Sequence, residues 1–132
     1  MRTSEVYGRE PGTIAAARLL TTAFLARVGE RIARPLPQRT IDNARLVVSE
    51  LVTNAVKYTT GAYGIDLELV DGHVLITVWD TSPQAITPMA PDPGRVGQHG
   101  MEIVLALYGS FDAVTTPTGK RITVRVDLSA AA

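Results

Sequence analysis

The hydrophobic period changes once along this chain, and that change limits the fold more than any other feature. From Thr13 to about Ala33, apolar residues at Ile14, Ala17, Leu20 (or Leu19), Phe24, Leu25, Val28 and Ile32 recur at helical spacing. Pro35-Leu36-Pro37 predicts the end of that helix. Thr40 is the expected N-cap of a second one, which runs to about Thr59 and is stopped by Gly61. Beyond Gly61 the period falls to two. Ile65, Leu67 and Leu69 alternate with polar residues, as do Val74, Ile76 and Val78, and Asp71-Gly72 between the two runs is a strong tight-hairpin signal. Helices with one apolar face each pack together on one face of a sheet.

The rest of the chain fits around that frame. Thr3–Gly8 alternates weakly before Pro11-Gly12 and reads as a short edge strand. Thr81 to Gln98 holds prolines 83, 88, 91 and 93, with Gly94 and Gly97. A loop of that length inside a compact domain is more often a lid or binding loop than a spacer. A third helix is predicted over His99–Tyr108, stopped at Gly109. Two strands follow, near Phe111–Thr115 and Arg121–Leu128, joined by a turn with Pro117 and Gly119. The expected fold is an α/β two-layer sandwich: a mixed, mostly antiparallel sheet with three helices on one face. Residues 1–132 are expected to form one domain, with 81–98 as its lid.

Composition removes several function classes. Lys and Arg number 13 against 13 Asp and Glu, so there is no broad positive field to grip nucleic acid or an anionic membrane. There is no cysteine, hence no disulfide framework, thiolate metal site or Cys nucleophile. The polar start MRTSEVYGRE is unlike a signal peptide, and apolar stretches are interrupted well before the roughly 18 residues a bilayer span requires. The expected setting is the cytoplasm, with no direct contact to nucleic acid or membrane.

Three segments carry chemistry. In the second helix, Ser49 to Tyr58 reads SELVTNAVKY. Glu50, Asn54 and Lys57 fall on one stripe, with Asn43 near it, flanked by Val47, Val48, Leu51, Val52, Ala55 and Val56. This predicts a helix buried over most of its circumference with one polar strip. On spacing alone the strip is a solvated face. An acid and an amide one turn apart can also serve as base and as neutral hard ligand for Mg²⁺. In the second segment, Val78-Trp79-Asp80-Thr81-Ser82-Pro83, a strand ends in a carboxylate. Taken alone, Asp80 is a turn former; chemically, it can accept a hydrogen bond from the exocyclic amine of adenine. In the third, Gly94 to Val104, a glycine-rich loop enters a helix N-terminus, where free N–H groups favour phosphate. It is neither a Walker A loop nor a dinucleotide fingerprint. His99 reads as a capping or loop residue and His73 as solvent-exposed, and no zinc pattern is present.

The order of these segments resembles the ATP-binding domain shared by DNA gyrase, histidine kinases, the large heat-shock chaperones and mismatch-repair ATPases (the Bergerat fold). SELVTNAVKY looks like its N box, the Asp80 segment like its first glycine box and Gly97–Val104 like its second. Gly119-Lys120 looks like the closing Gly-Lys of small bacterial members. The resemblance covers essentially the whole chain and is nearest to the stand-alone anti-sigma-factor serine kinases. By this resemblance Asn54 ligates the Mg²⁺ that bridges the ATP phosphates, and Glu50 is the catalytic base. Asp80 binds the adenine amine. Gly97 and Gly100, with the amides of His99 and Met101, hold phosphate, and Lys57 either reaches one or is the solvated end of the stripe. The first box departs from Asp-x-Gly-x-Gly: Asp80-Thr81-Ser82-Pro83-Gln84 has no glycine, and Gln98 stands where a glycine is common in the second.

The resemblance implies an ATP-dependent protein serine kinase of the anti-sigma type. Its partners would be a sigma factor and an anti-sigma-factor antagonist protein, its cofactors ATP and Mg²⁺, and its assembly a homodimer. The alternative is a non-catalytic module of the same fold that binds a partner, with or without nucleotide.

Overall fold

The computed structural model describes residues 1–8, 10–59, 61–81 and 111–128. Within them the order is β1 (Arg2–Tyr7), α1 (Thr13–Arg31), α2 (Gln38–Tyr58), β2 (Tyr63–Val70), β3 (His73–Asp80), β4 (Asp112–Thr116) and β5 (Gly119–Asp127). The predicted third helix at 99–108 lies outside the described residues, as does the expected lid beyond Thr81.

The strands form one open sheet in the order β1-β2-β3-β5-β4. Every described pairing is antiparallel, where a mixed sheet was expected. The β2–β3 hairpin turns at Asp71-Gly72, both with positive φ (47° and 78°), the geometry of a tight turn whose twist matches the strands. β1 is an edge, as its weak alternation predicts. The opposite edge is β4, all of whose residues are exposed.

Both helices lie on one face: α1 packs against α2 and β2, and α2 against β3 and β5. α1 buries Ala17, Phe24, Leu25 and Val28. Leu20 is half-buried and Leu19 exposed, which resolves the alternative left open by spacing. α2 buries Ala44, Val47, Val48, Leu51, Val52 and Ala55 in the same core cluster as Ile65, Leu67, Val74, Ile76 and Val78 of the sheet. Fully burying each large aliphatic side chain contributes about 1.5–3 kcal/mol before entropy is counted.

Two helix ends differ from expectation. α1 stops at Arg31, before the prolines. Ala33 adopts a left-handed φ of 61°, and Arg34 N–H donates to the Gly29 carbonyl, closing the helix as a Schellman turn. α2 begins at Gln38 with Pro37, not Thr40, as N-cap. The Pro37 carbonyl accepts from the Thr40 and Ile41 N–H groups, which places Thr40 inside the first turn.

Candidate functional site

Strand alternation delivers the key charges. β3 buries Val74, Ile76, Val78 and then Asp80; β5 buries Lys120, Ile122, Val124 and Val126. At the same end of the two strands a carboxylate and an ammonium thus occupy positions whose parity belongs to the core. Register sets Asp80 directly opposite Lys120. Their side chains are 3% and 5% exposed, and Nζ lies 3.5 Å from Oδ2. That separation is longer than the 2.7–2.9 Å of a charge-assisted hydrogen bond, so the contact is an ion pair. Lysine and aspartate are almost never buried this deeply unless paired.

The backbone makes the approach of the two strands possible. A Cβ on Gly119 would lie 2.1 Å from the Asp80 carbonyl oxygen, so no other residue fits at that point of the ladder. On the other side of β3, Asp80 pairs in register with Tyr63, and Tyr63 with Tyr7. The two tyrosine rings lie 5.7 Å apart, and Tyr63 donates its hydroxyl to Thr13 Oγ1 at the start of α1. Burial pushes the Tyr7 phenol above its ordinary value, with smaller contributions from the Glu5 charge and Tyr63.

The exit of β3 is anchored to the end of α2. Thr81 Oγ1 donates to the Ala62 carbonyl (3.1 Å) and lies 3.2 Å from the Thr59 hydroxyl, which also accepts from Gly61 N–H at 3.2 Å. The C-terminal end of α2 and the Asp80 end of β3 are therefore held together.

On α2 the stripe lies at one margin of the buried face. Asn43, Glu50 and Asn54 are half-buried and Lys57 is exposed. The expectation of a helix buried over most of its circumference is corrected: Leu46 and Val56 are 40% and 44% exposed, and the helix buries a single face. His73 is likewise not freely exposed. It is half-buried, with Nδ1 3.7 Å from Asp127 Oδ1. Gly97, His99, Gly100 and Met101 lie outside the described residues.

Sequence reading missed the burial of Lys120. The signal was present: Lys120 has the parity of Ile122, Val124 and Val126, and a lysine at a core-facing position requires a partner.

The donor set suits an adenine nucleotide better than a free metal ion. Asp80 offers a buried acceptor for an exocyclic amine. The described residues contain no group of three or more His, Cys, Asp or Glu that could hold a metal by themselves. Asn54 would hold Mg²⁺ only together with phosphate oxygens, the way this ion is commonly bound.

A sequence profile described as a histidine kinase-like ATPase domain matches residues 9–126, and the chain belongs to that family. A sequence search of curated proteins finds no significant match. Among solved structures, the RsbU and RsbW domains of Rv1364c from Mycobacterium tuberculosis align over 97% of this chain with TM-score 0.70 and 18% identity. The chain spans 32% of that structure's length. The blue-light activated histidine kinase EL346 of Erythrobacter litoralis aligns over 73% of this chain and 33% of its own (TM-score 0.57, 22% identity). The histidine kinase AdeS of Acinetobacter baumannii aligns over 96% of this chain and 68% of its own (TM-score 0.54, 15% identity). At these identities the likeness is one of fold. No helix among the described residues is long and apolar enough to cross a membrane.

Proposed function

We propose that this chain binds Mg·ATP and acts as an anti-sigma regulator, phosphorylating a serine of an antagonist protein. The observation that carries the reading is the buried carboxylate of Asp80, at the end of β3 that is tied to α2 through Thr59 and Thr81. Asp80 accepts from the adenine amine. Asn54, half-buried at the margin of α2, supplies the amide ligand to Mg²⁺, and Glu50, one turn earlier, takes the proton of the attacking hydroxyl. Lys57 and the segment of Gly97, His99, Gly100 and Met101 contact phosphate. When bound, Mg·ATP supplies the phosphoryl group and the metal charge that offsets its developing negative charge. The anti-sigma role, with a sigma factor and an antagonist as partners and a homodimer as assembly, rests on the resemblance of SELVTNAVKY and the closing Gly119-Lys120 to that kinase group. A cytoplasmic setting and a single domain belong to the same reading.

The test is calorimetric titration with Mg·ATP, followed by labelled phosphate transfer to proteins co-purifying from the native cell. Glu50→Ala is expected to abolish transfer with ATP affinity nearly unchanged, and Asp80→Asn to weaken binding at least tenfold. Equal ATP affinity in wild type and Asp80→Asn would sink the adenine assignment. The glycine-free first box, Asp80 to Gln84, favours a second reading, a partner-binding module without catalysis; ATP binding without transfer to any partner would select it.

A further inference from the structure

We infer that Lys120 is a second base-reading group of the nucleotide site, a specificity-determining residue that acts beside Asp80. The inference rests on the adenine-nucleotide reading above and adds to it a residue which that reading does not use. The Lys120 ammonium lies 3.5 Å from Asp80 Oδ2, and both side chains are almost completely buried. The pair is fixed by register and not by side-chain chance, since Asp80 and Lys120 oppose each other across β3 and β5 and only glycine fits at 119. An ammonium carries three donors and no acceptor, while a carboxylate carries acceptors only. Side by side, they present an acceptor next to a donor. The Watson–Crick edge of adenine presents the complement, with the N6 amine as donor next to the N1 ring nitrogen as acceptor. Asp80 takes the amine and Lys120 donates to N1. The ion-pair separation, longer than a direct charge-assisted hydrogen bond, is compatible with an ammonium that turns a donor toward the ring nitrogen and remains beside the carboxylate.

The experiment compares ATP with 1-deaza-ATP, which lacks only the N1 acceptor, by calorimetry on wild type and Lys120→Met. A hydrogen bond from a charged donor predicts that wild type binds ATP about ten- to a hundredfold more tightly than 1-deaza-ATP. Lys120→Met is expected to bind the two nucleotides alike. Lys120→Met leaves a carboxylate buried without its ammonium, so the same comparison is made on Asp80→Asn/Lys120→Met, which leaves no charge behind. The double variant is also expected to lose the discrimination. Equal wild-type affinity for the two nucleotides overturns the role of Lys120 and leaves the ATP reading intact; discrimination that persists in either variant does the same. Failure of wild type to bind ATP at all overturns the nucleotide reading, and this inference with it.

Discussion

The β3–β5 ladder sets a basic side chain against an aspartate at each end, and the two ends differ in how far they are buried. At one end His73 faces Asp127 at 3.7 Å, with side chains 30% and 45% exposed; at the other Lys120 faces Asp80 at 3.5 Å, nearly sealed. Both are register partners. The separation is similar, and the surroundings decide the consequence. In contact with water, a charge pair gains little over its hydrated components and typically contributes about 0–1 kcal/mol. Away from water, each charge has given up its hydration and depends on the other. Removing one partner then costs about 3–5 kcal/mol, although replacing both together can be nearly neutral. The parity of the strand sets the difference: odd positions of β3 are half-buried, and even positions belong to the core.

The largest effect expected from this contrast is at Lys120. Lys120→Met should lower stability by about 3–5 kcal/mol in urea titrations, with most of the loss recovered in Asp80→Asn/Lys120→Met. A loss below about 1 kcal/mol in the single variant would break the comparison, because it would mean that the buried end behaves like the exposed one. Next comes Gly119→Ala, which forces a methyl group against the Asp80 carbonyl and should cost about 1–3 kcal/mol. Circular dichroism of that variant should show the sheet retained. The smallest effect is at the open end: Asp127→Asn should change stability by less than about 1 kcal/mol, and added salt should shrink that difference further.

Much of this arrangement was legible in the sequence because it follows from periodicity. The spacing of Ala17, Phe24, Leu25 and Val28 marks a helix face, and the alternation around Asp71-Gly72 marks a hairpin; both are local signals. Pairing is not local. The segment between β3 and β4 is long enough to bring the next strand back in either direction, so nothing in it distinguishes a mixed sheet from the antiparallel one observed. The cap of α2 was misread for a related reason. Thr40 has the right side chain, but the Pro37 carbonyl already accepts the first turn's N–H groups. At the candidate site, Glu50 and Asn54 were visible as a stripe, and their half-burial at its margin was not. Val56 has an apolar side chain yet lies exposed, because spacing gives the helix face and not the depth to which neighbours cover it. Asp80 drew attention as a strand-end acid. Lys120 did not, since its meaning depends on a partner forty residues earlier.

The face of the sheet that carries Trp79 holds one more consequence. Trp79 is the sole tryptophan of the chain and directly precedes Asp80. A Cβ on Gly64, its cross-strand partner, would lie 2.4 Å from the indole ring. Glycine thus gives the ring a seat against bare backbone, one peptide unit from the carboxylate and on the opposite side of the sheet. The protein therefore carries a built-in fluorophore: intrinsic emission follows the Asp80 end of the strand without a label, and a ligand on the helical side need not touch the indole to change its signal.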